Sequence, residues 1–173
     1  MKLSDDFKLS SSDIKPEQIE DAKSWLLKLV AAYANKDETL VSKWFKEDAV
    51  FNFIGVGKAN GLKDIEKYFA WTYRAVDKID FVPCSCTVLI QTNTDSPKSA
   101  HFTSDTITLV IDGTALFLKG DPLDIHWVLT LEKKPEDEKV SSVRAYKDNS
   151  EVLIKRFAEH AGPLEGISSD SDK

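Results

Sequence analysis

The chain has 173 residues, 42% of them hydrophobic and 30% charged, and carries a net charge of -6. A domain of this length buries about 70% of the surface that its unfolded chain exposes, which is enough for a core and an internal cavity. The acidic balance, without a dense run of Lys and Arg, excludes a nucleic-acid groove and an anionic membrane surface and favours neutral or weakly charged ligands.

Residues 1–15 are polar and read as a flexible tail, with no apolar run that would serve as a secretory signal or transit peptide. Asp13 and Pro16 fit the start of a helix. Ile19, Ala22, Trp25, Leu26, Leu29, Val30 and Tyr33 then recur at helical spacing and predict one long amphipathic helix with a broad buried face. Asn35-Lys36-Asp37 breaks the pattern, and Asp37 can cap a short second helix carrying Leu40, Val41, Trp44 and Phe45. Residues 49–54 read as a strand, the region of Gly55, Gly57 and Gly61 as a loop, and Leu62 to Val76 as a further amphipathic helix.

After Asp77 the apolar period changes from helical to two. Residues 81–91, 100–111, 115–119, 125–132 and 140–146 each read as strands, and residues 151–160 as a closing helix. Helices first and hairpins afterwards predict an α+β domain over 16–161, a curved antiparallel sheet around the long helix, with a flexible acidic tail over 162–173. Cys84 and Cys86, two apart in a strand-like run, point the same way and read as reduced thiols. With no run of transmembrane length and no Asn-x-Ser/Thr acceptor, a cytoplasmic protein is expected, with nuclear access by diffusion. No metal motif appears, because Cys84-Ser85-Cys86 with His101 lacks zinc-ligand spacing.

The strand around His126 leaves two registers open. In one, Ile125, Trp127, Leu129 and Leu131 face inward, and Asp124 and His126 lie outside. In the other, Asp124 and His126 enter a pocket. The parity of the last strand sends Arg144 and Tyr146 outward.

The runs LLKLVAAYANKDETLVSKWFKEDAVFNF and GLKDIEKYF, with the final KVSSVRAYKDN, resemble the SnoaL-like branch of the nuclear transport factor 2-like superfamily, over roughly residues 19–152. The resemblance implies a cone of curved sheet and helices enclosing a ligand-sized cavity, often dimerised through the outer sheet face. It also implies where reactive groups would stand. The ketosteroid isomerase positions fall on Leu29, Phe53 and the neighbourhood of Trp127, all apolar here. The scytalone dehydratase pattern places a tyrosine at Tyr33, whereas its histidine becomes Asp80, its second tyrosine Phe53 and its aspartate Ala34.

On that basis Tyr33, as acid or orienting group, and Asp80, as base, are the candidate catalytic pair. Leu29, Trp44, Phe53, Phe69 and Trp127 are the candidate pocket wall, with Asp124 and His126 as further candidates in the second register. Packing alone also accounts for a tyrosine on the inner face of a helix and for four tryptophans. Two functions remain open: binding of a small hydrophobic molecule, extending to cofactor-free isomerase, cyclase or dehydratase chemistry, or a non-catalytic dimeric adaptor of the same fold. Neither requires a cofactor or a metal. The expected partners are a small hydrophobic ligand and a second copy of the chain, with no nucleic acid and no membrane.

Overall fold

The computed structural model describes residues 8–11, 16–54, 56–91, 106–134, 137–148 and 150–165. Its elements run in the order β1 (Lys8–Ser11), α1 (Pro16–Ala34), α2 (Leu40–Trp44), β2 (Phe45–Phe53), β3 (Gly57–Asn60), α3 (Gly61–Ala75), β4 (Lys78–Gln91), β5 (Thr106–Leu118), β6 (Leu123–Lys133), β7 (Val140–Lys147) and α4 (Ser150–Ala161). One curved sheet, ordered β1-β4-β5-β6-β7-β2-β3, takes in every strand. Neighbours are antiparallel except β1 with β4 and β2 with β7. Pairing β7 in parallel with an early strand is what brings the two ends of the domain together and closes the cone. The α+β class expected from the sequence is the architecture found.

Helix α1 buries Trp25, Leu26, Leu29 and Val30, the stripe that helical spacing predicts. Its C-terminus closes in a Schellman motif, in which the Asp37 N–H donates to the Ala32 carbonyl at 2.9 Å and the Lys36 N–H to the Tyr33 carbonyl at 3.0 Å. Lys36 takes the left-handed position of that motif, at φ 54°. Its ammonium then donates to the Tyr73 carbonyl at 3.1 Å and to the Val76 carbonyl. A cation thus covers the unpaired carbonyls at the C-terminus of α3, where the helix dipole also favours it. The Asp37 carboxylate accepts from the Thr39 N–H at 2.9 Å and opens the turn into α2. The Thr39 hydroxyl donates to the same carboxylate at 2.6 Å, and these two hydrogen bonds, the hydroxyl's first, are the main reason the Asp37 carboxyl is held below the ordinary value.

Helix α3 lays Ile65, Tyr68, Phe69 and Thr72 against the domain interior, with Tyr68 4.8 Å from Phe51 and 5.7 Å from Phe53 by ring centroid. Helix α4 backs α3 through Trp71 and Phe157, whose rings meet at 5.1 Å. The Trp71 indole N–H donates to the Gly162 carbonyl at 2.7 Å, so the chain just beyond α4 is tied down too.

Several boundaries differ from the sequence reading. Lys8–Ser11, inside the stretch expected as a tail, pair with Ser85 to Val88. The early strand begins at Phe45 rather than at residue 49, because α2 ends directly into extended backbone, and a register shift against β7 follows between Phe45 and Val50. Part of the expected glycine loop is β3, hairpinned onto β2. The two strands expected at 100–111 and 115–119 are one strand, β5, over its described length. Gly113, which reads as a turn, instead lies mid-strand opposite Pro83 and Trp127.

A glycine is needed there for space. A Cβ on Gly113 would stand 2.8 Å from the Val82 carbonyl oxygen and 3.2 Å from the Trp127 indole. Gly113→Ala is therefore expected to cost about 1–3 kcal/mol of stability as an overpacked core position, read from the midpoint shift in urea denaturation.

Candidate functional site: an apolar chamber with one buried amine

Between α1, α3 and the concave sheet face lies a chamber of about 80 Å³. Leu26, Leu29, Val30 and Tyr33 of α1, Leu40 of α2, and Tyr68 and Phe69 of α3 form one side. Phe45, Phe51, Phe81, Trp127, Leu129, Leu131, Val143, Ala145 and Lys147 form the other. All of these are buried except Tyr33 and Leu129, which are half-buried. The volume is about half the ~150 Å³ of an engineered apolar cavity that takes up benzene. Among the described residues no carboxylate belongs to the wall.

Lys147 is the ionisable group that sets this chamber apart. On β7 the residues Val143, Ala145 and Lys147 are buried while Arg144 and Tyr146 are exposed, so strict alternation carries the last of the inward set into the core as a lysine. It sits directly across the strand pair from Trp127 and is 8% exposed. Its ammonium nitrogen lies 4.9 Å from the centroid of the Phe53 ring, a cation–π geometry that offsets part of the lost hydration. Burial nevertheless disfavours the charged form and pushes the amine down to about 7. At neutral pH it is therefore divided between ammonium and free amine.

The chamber's phenols behave in the opposite sense. Tyr33 packs edge-on to Phe69 at 5.9 Å and to Phe81 at 6.1 Å. Burial, reinforced by Tyr68 and Tyr73, raises its hydroxyl well above the ordinary phenol value. Tyr33 thus stays protonated and suits the role of hydrogen-bond donor rather than proton source. Burial raises Tyr68 as well. The Trp127 ring stacks on Phe81 with centroids 4.0 Å apart, and its buried indole N–H has no acceptor among the described residues.

The residues expected from the sequence separate into two groups. Tyr33, Leu29, Phe69 and Trp127 line the chamber. Asp80 does not join Tyr33: it is one residue from the inward Phe81, so the pleat turns it outward, where its side chain is 56% exposed and accepts from Lys78 at 3.0 Å. Phe53 lies behind the wall, beneath Lys147, and Trp44 stands outside it, edge-on to Trp25 at 5.6 Å. The first register of β6 is the one found, with Ile125, Trp127 and Leu131 buried and Asp124 and His126 exposed on the outer face. There the His126 N–H donates to the Asp148 carboxylate at 2.9 Å and its carbonyl accepts from the Asp148 N–H at 3.0 Å.

Lys147 is not among the residues expected from the sequence, although the parity that sends Arg144 and Tyr146 outward, extended one residue, places it inward. Cys86 is also buried, and its thiol is pushed up to about 11, which leaves it unreactive. Among the described residues no three His, Cys, Asp or Glu side chains gather around a common metal position, and no helix is long and apolar enough to cross a membrane.

No protein-family model matches the sequence, and no curated protein matches it either. Solved structures do match. A protein of Bacillus cereus ATCC 10987 assigned to the polyketide cyclases superposes with a TM-score of 0.57 at 13% identity, over 95% of this chain and 98% of its own. One from Jannaschia sp. CCS1, assigned to the SnoaL-like polyketide cyclases, gives 0.54 at 14% identity over 88% and 99%. The type 2 hexachlorocyclohexane dehydrochlorinase LinA gives 0.57 at 12% identity over 78% and 90%. Identities this low establish a common fold and nothing of the chemistry.

The position of Lys147 has a thermodynamic consequence. Between about pH 7 and 10.5 the unfolded chain holds a proton at residue 147 that the folded chain has released, so this group makes stability rise with pH across that window. Below pH 7 the folded chain bears the whole penalty, about 5 kcal/mol, and above 10.5 none of it. Lys147→Met should therefore exceed the natural protein in stability most at low pH, with the gap closing by several kcal/mol towards pH 10 in urea titrations. The opposing titration of Cys86 cancels in that comparison. A gap that does not vary with pH would mean that the amine is hydrated in the folded protein.

Proposed function

We propose, from a fold shared with SnoaL-like polyketide cyclases and a hexachlorocyclohexane dehydrochlorinase, that this protein binds a small hydrophobic molecule in the α1–α3 chamber. We further propose that it acts there as a cofactor-independent lyase or isomerase. The observation that carries this reading is the apolar lining of the chamber, with Lys147 the one amine among its residues. Tyr33 and Lys147 are the candidates in that lining for a polar contact with a ligand, and Asp80 lies outside it. Native mass spectrometry of protein purified from its own source should reveal a co-purifying small molecule. Ala145→Leu, which extends a side chain into the chamber, should abolish that mass difference while the protein remains folded by circular dichroism. An unliganded natural protein, or a ligand retained by the filled variant, would remove the chamber as the binding site.

A second reading, a dimer formed through the outer sheet face, draws on Tyr146. It is 58% exposed on the convex side of β7, an unusual position for a large aromatic side chain in a monomer. If a second copy covers it, Tyr146→Glu should convert a dimer to a monomer in light scattering and leave the pH dependence attributed to Lys147 unchanged.

A further inference from the structure

We infer that the cleft between the α1–α2 turn and α3 is the mouth of the chamber, and that the ligand is a short alkyl chain carrying a hydroxylated head, chain in the chamber and head in the cleft. This inference rests on the binding reading above and names its ligand class. The cleft measures about 550 Å³, against about 80 Å³ for the chamber. Glu66, Phe69, Ala70, Tyr73 and Arg74 form its α3 side, a stripe at helical spacing beside the buried one of Ile65, Tyr68 and Thr72. Residues 36–38 with Leu40 and Val41 form the other side. Leu40 and Phe69 belong to the linings of both voids, so one layer of side chains divides them.

The two dividing residues are held differently. The Phe69 ring packs against Tyr68 at 5.5 Å and Phe51 at 5.6 Å on the chamber side and against Tyr73 at 6.0 Å on the cleft side, which fixes it as a post. Leu40, the first residue of the five-residue α2, borders empty space on two sides. A side chain so placed forfeits packing contacts and has room to change rotamer. Its rotation joins the voids without moving a helix, and Lys36, bonded to the Tyr73 and Val76 carbonyls, holds the rim of the cleft in place.

The two voids suit different ends of one molecule. The chamber is apolar and admits less than benzene requires, which fits about three or four carbons. The cleft offers acceptors and donors together. Glu38, Glu66 and Arg74 are exposed there and form no ion pair among the described residues, whereas Lys36 is bonded to carbonyls and Asp37 accepts from Thr39. The Tyr73 hydroxyl oxygen is buried and has no hydrogen-bond partner among the described residues. Burial and, second, the charge of Asp37 in the same wall raise that phenol, so it stays a donor. Hydroxyl groups both donate and accept, and so match carboxylates, guanidinium and phenol alike with no charge to desolvate. An anionic head would meet three carboxylates, Asp37, Glu38 and Glu66, against two cations, Lys36 and Arg74.

The test is saturation-transfer NMR on the full chain with butyl glucoside, butan-1-ol and glucose. The glucoside should bind about tenfold more tightly than butan-1-ol, the worth of one or two net hydrogen bonds, with saturation reaching both its butyl and its sugar protons. Ala70→Trp fills the cleft from an exposed helical position, and it should erase that advantage while butan-1-ol binds as before. Butan-1-ol binding with no advantage for the glucoside overturns the mouth and leaves the chamber reading intact. An advantage that survives in Ala70→Trp, or glucose that binds as tightly as the glucoside, overturns it too. No binding of either butyl compound overturns both readings. Because the three probes are compared on the natural protein, the result stands even if the variant misfolds.

Discussion

The concave face depends on one aromatic contact, the Trp127 indole lying flat against Phe81 at 4.0 Å. Side chains from β4 and β6 can meet that closely over β5 only where β5 has no side chain in the way, and Gly113 leaves that space. A register shift in β4 between Pro83 and Ser85 sits beside the same point. Missing side-chain volume in the middle strand is thus filled by an indole from its neighbour. The result is an aromatic floor beneath the chamber. The chamber's low polarity follows from this packing.

That dryness gives Lys147 its properties. Nothing in the local sequence marks it, and on a solvated strand it would be an ordinary lysine. Here burial beside the Phe53 ring and opposite Trp127 disfavours its charged form. A methionine of similar length would fill the space with no such cost.

Much of the fold was legible in the sequence because the buried stripe of α1 and the alternation in β6 and β7 are periodic and long. What could not be read depends on neighbours in space. Gly113 suggests a turn until the indole that occupies its missing Cβ is known. Asp80 suggests a base until pleating turns it away from Phe81, and Trp44 suggests a pocket wall until it is seen to pack on Trp25 from outside. Tyr33, Leu29, Phe69 and Trp127 were recoverable because helical phase or strand parity alone decides their direction. Lys147 obeys the same parity, but a charged residue at the end of a strand invites the assumption that it reaches solvent.

The Lys36 latch bears on how freely α1 can move. One ammonium joins the C-terminal ends of α1 and α3, and at the other end of the wall the Trp25 indole holds the Glu138 carbonyl at 2.8 Å. The first bond holds α1 to α3 and the second holds it to the connection between β6 and β7. Moving α1 away from either neighbour uncovers a backbone carbonyl, so the helix is pinned at its middle and at its C-terminal end, and motion of that half is costlier than fraying of its N-terminal turn.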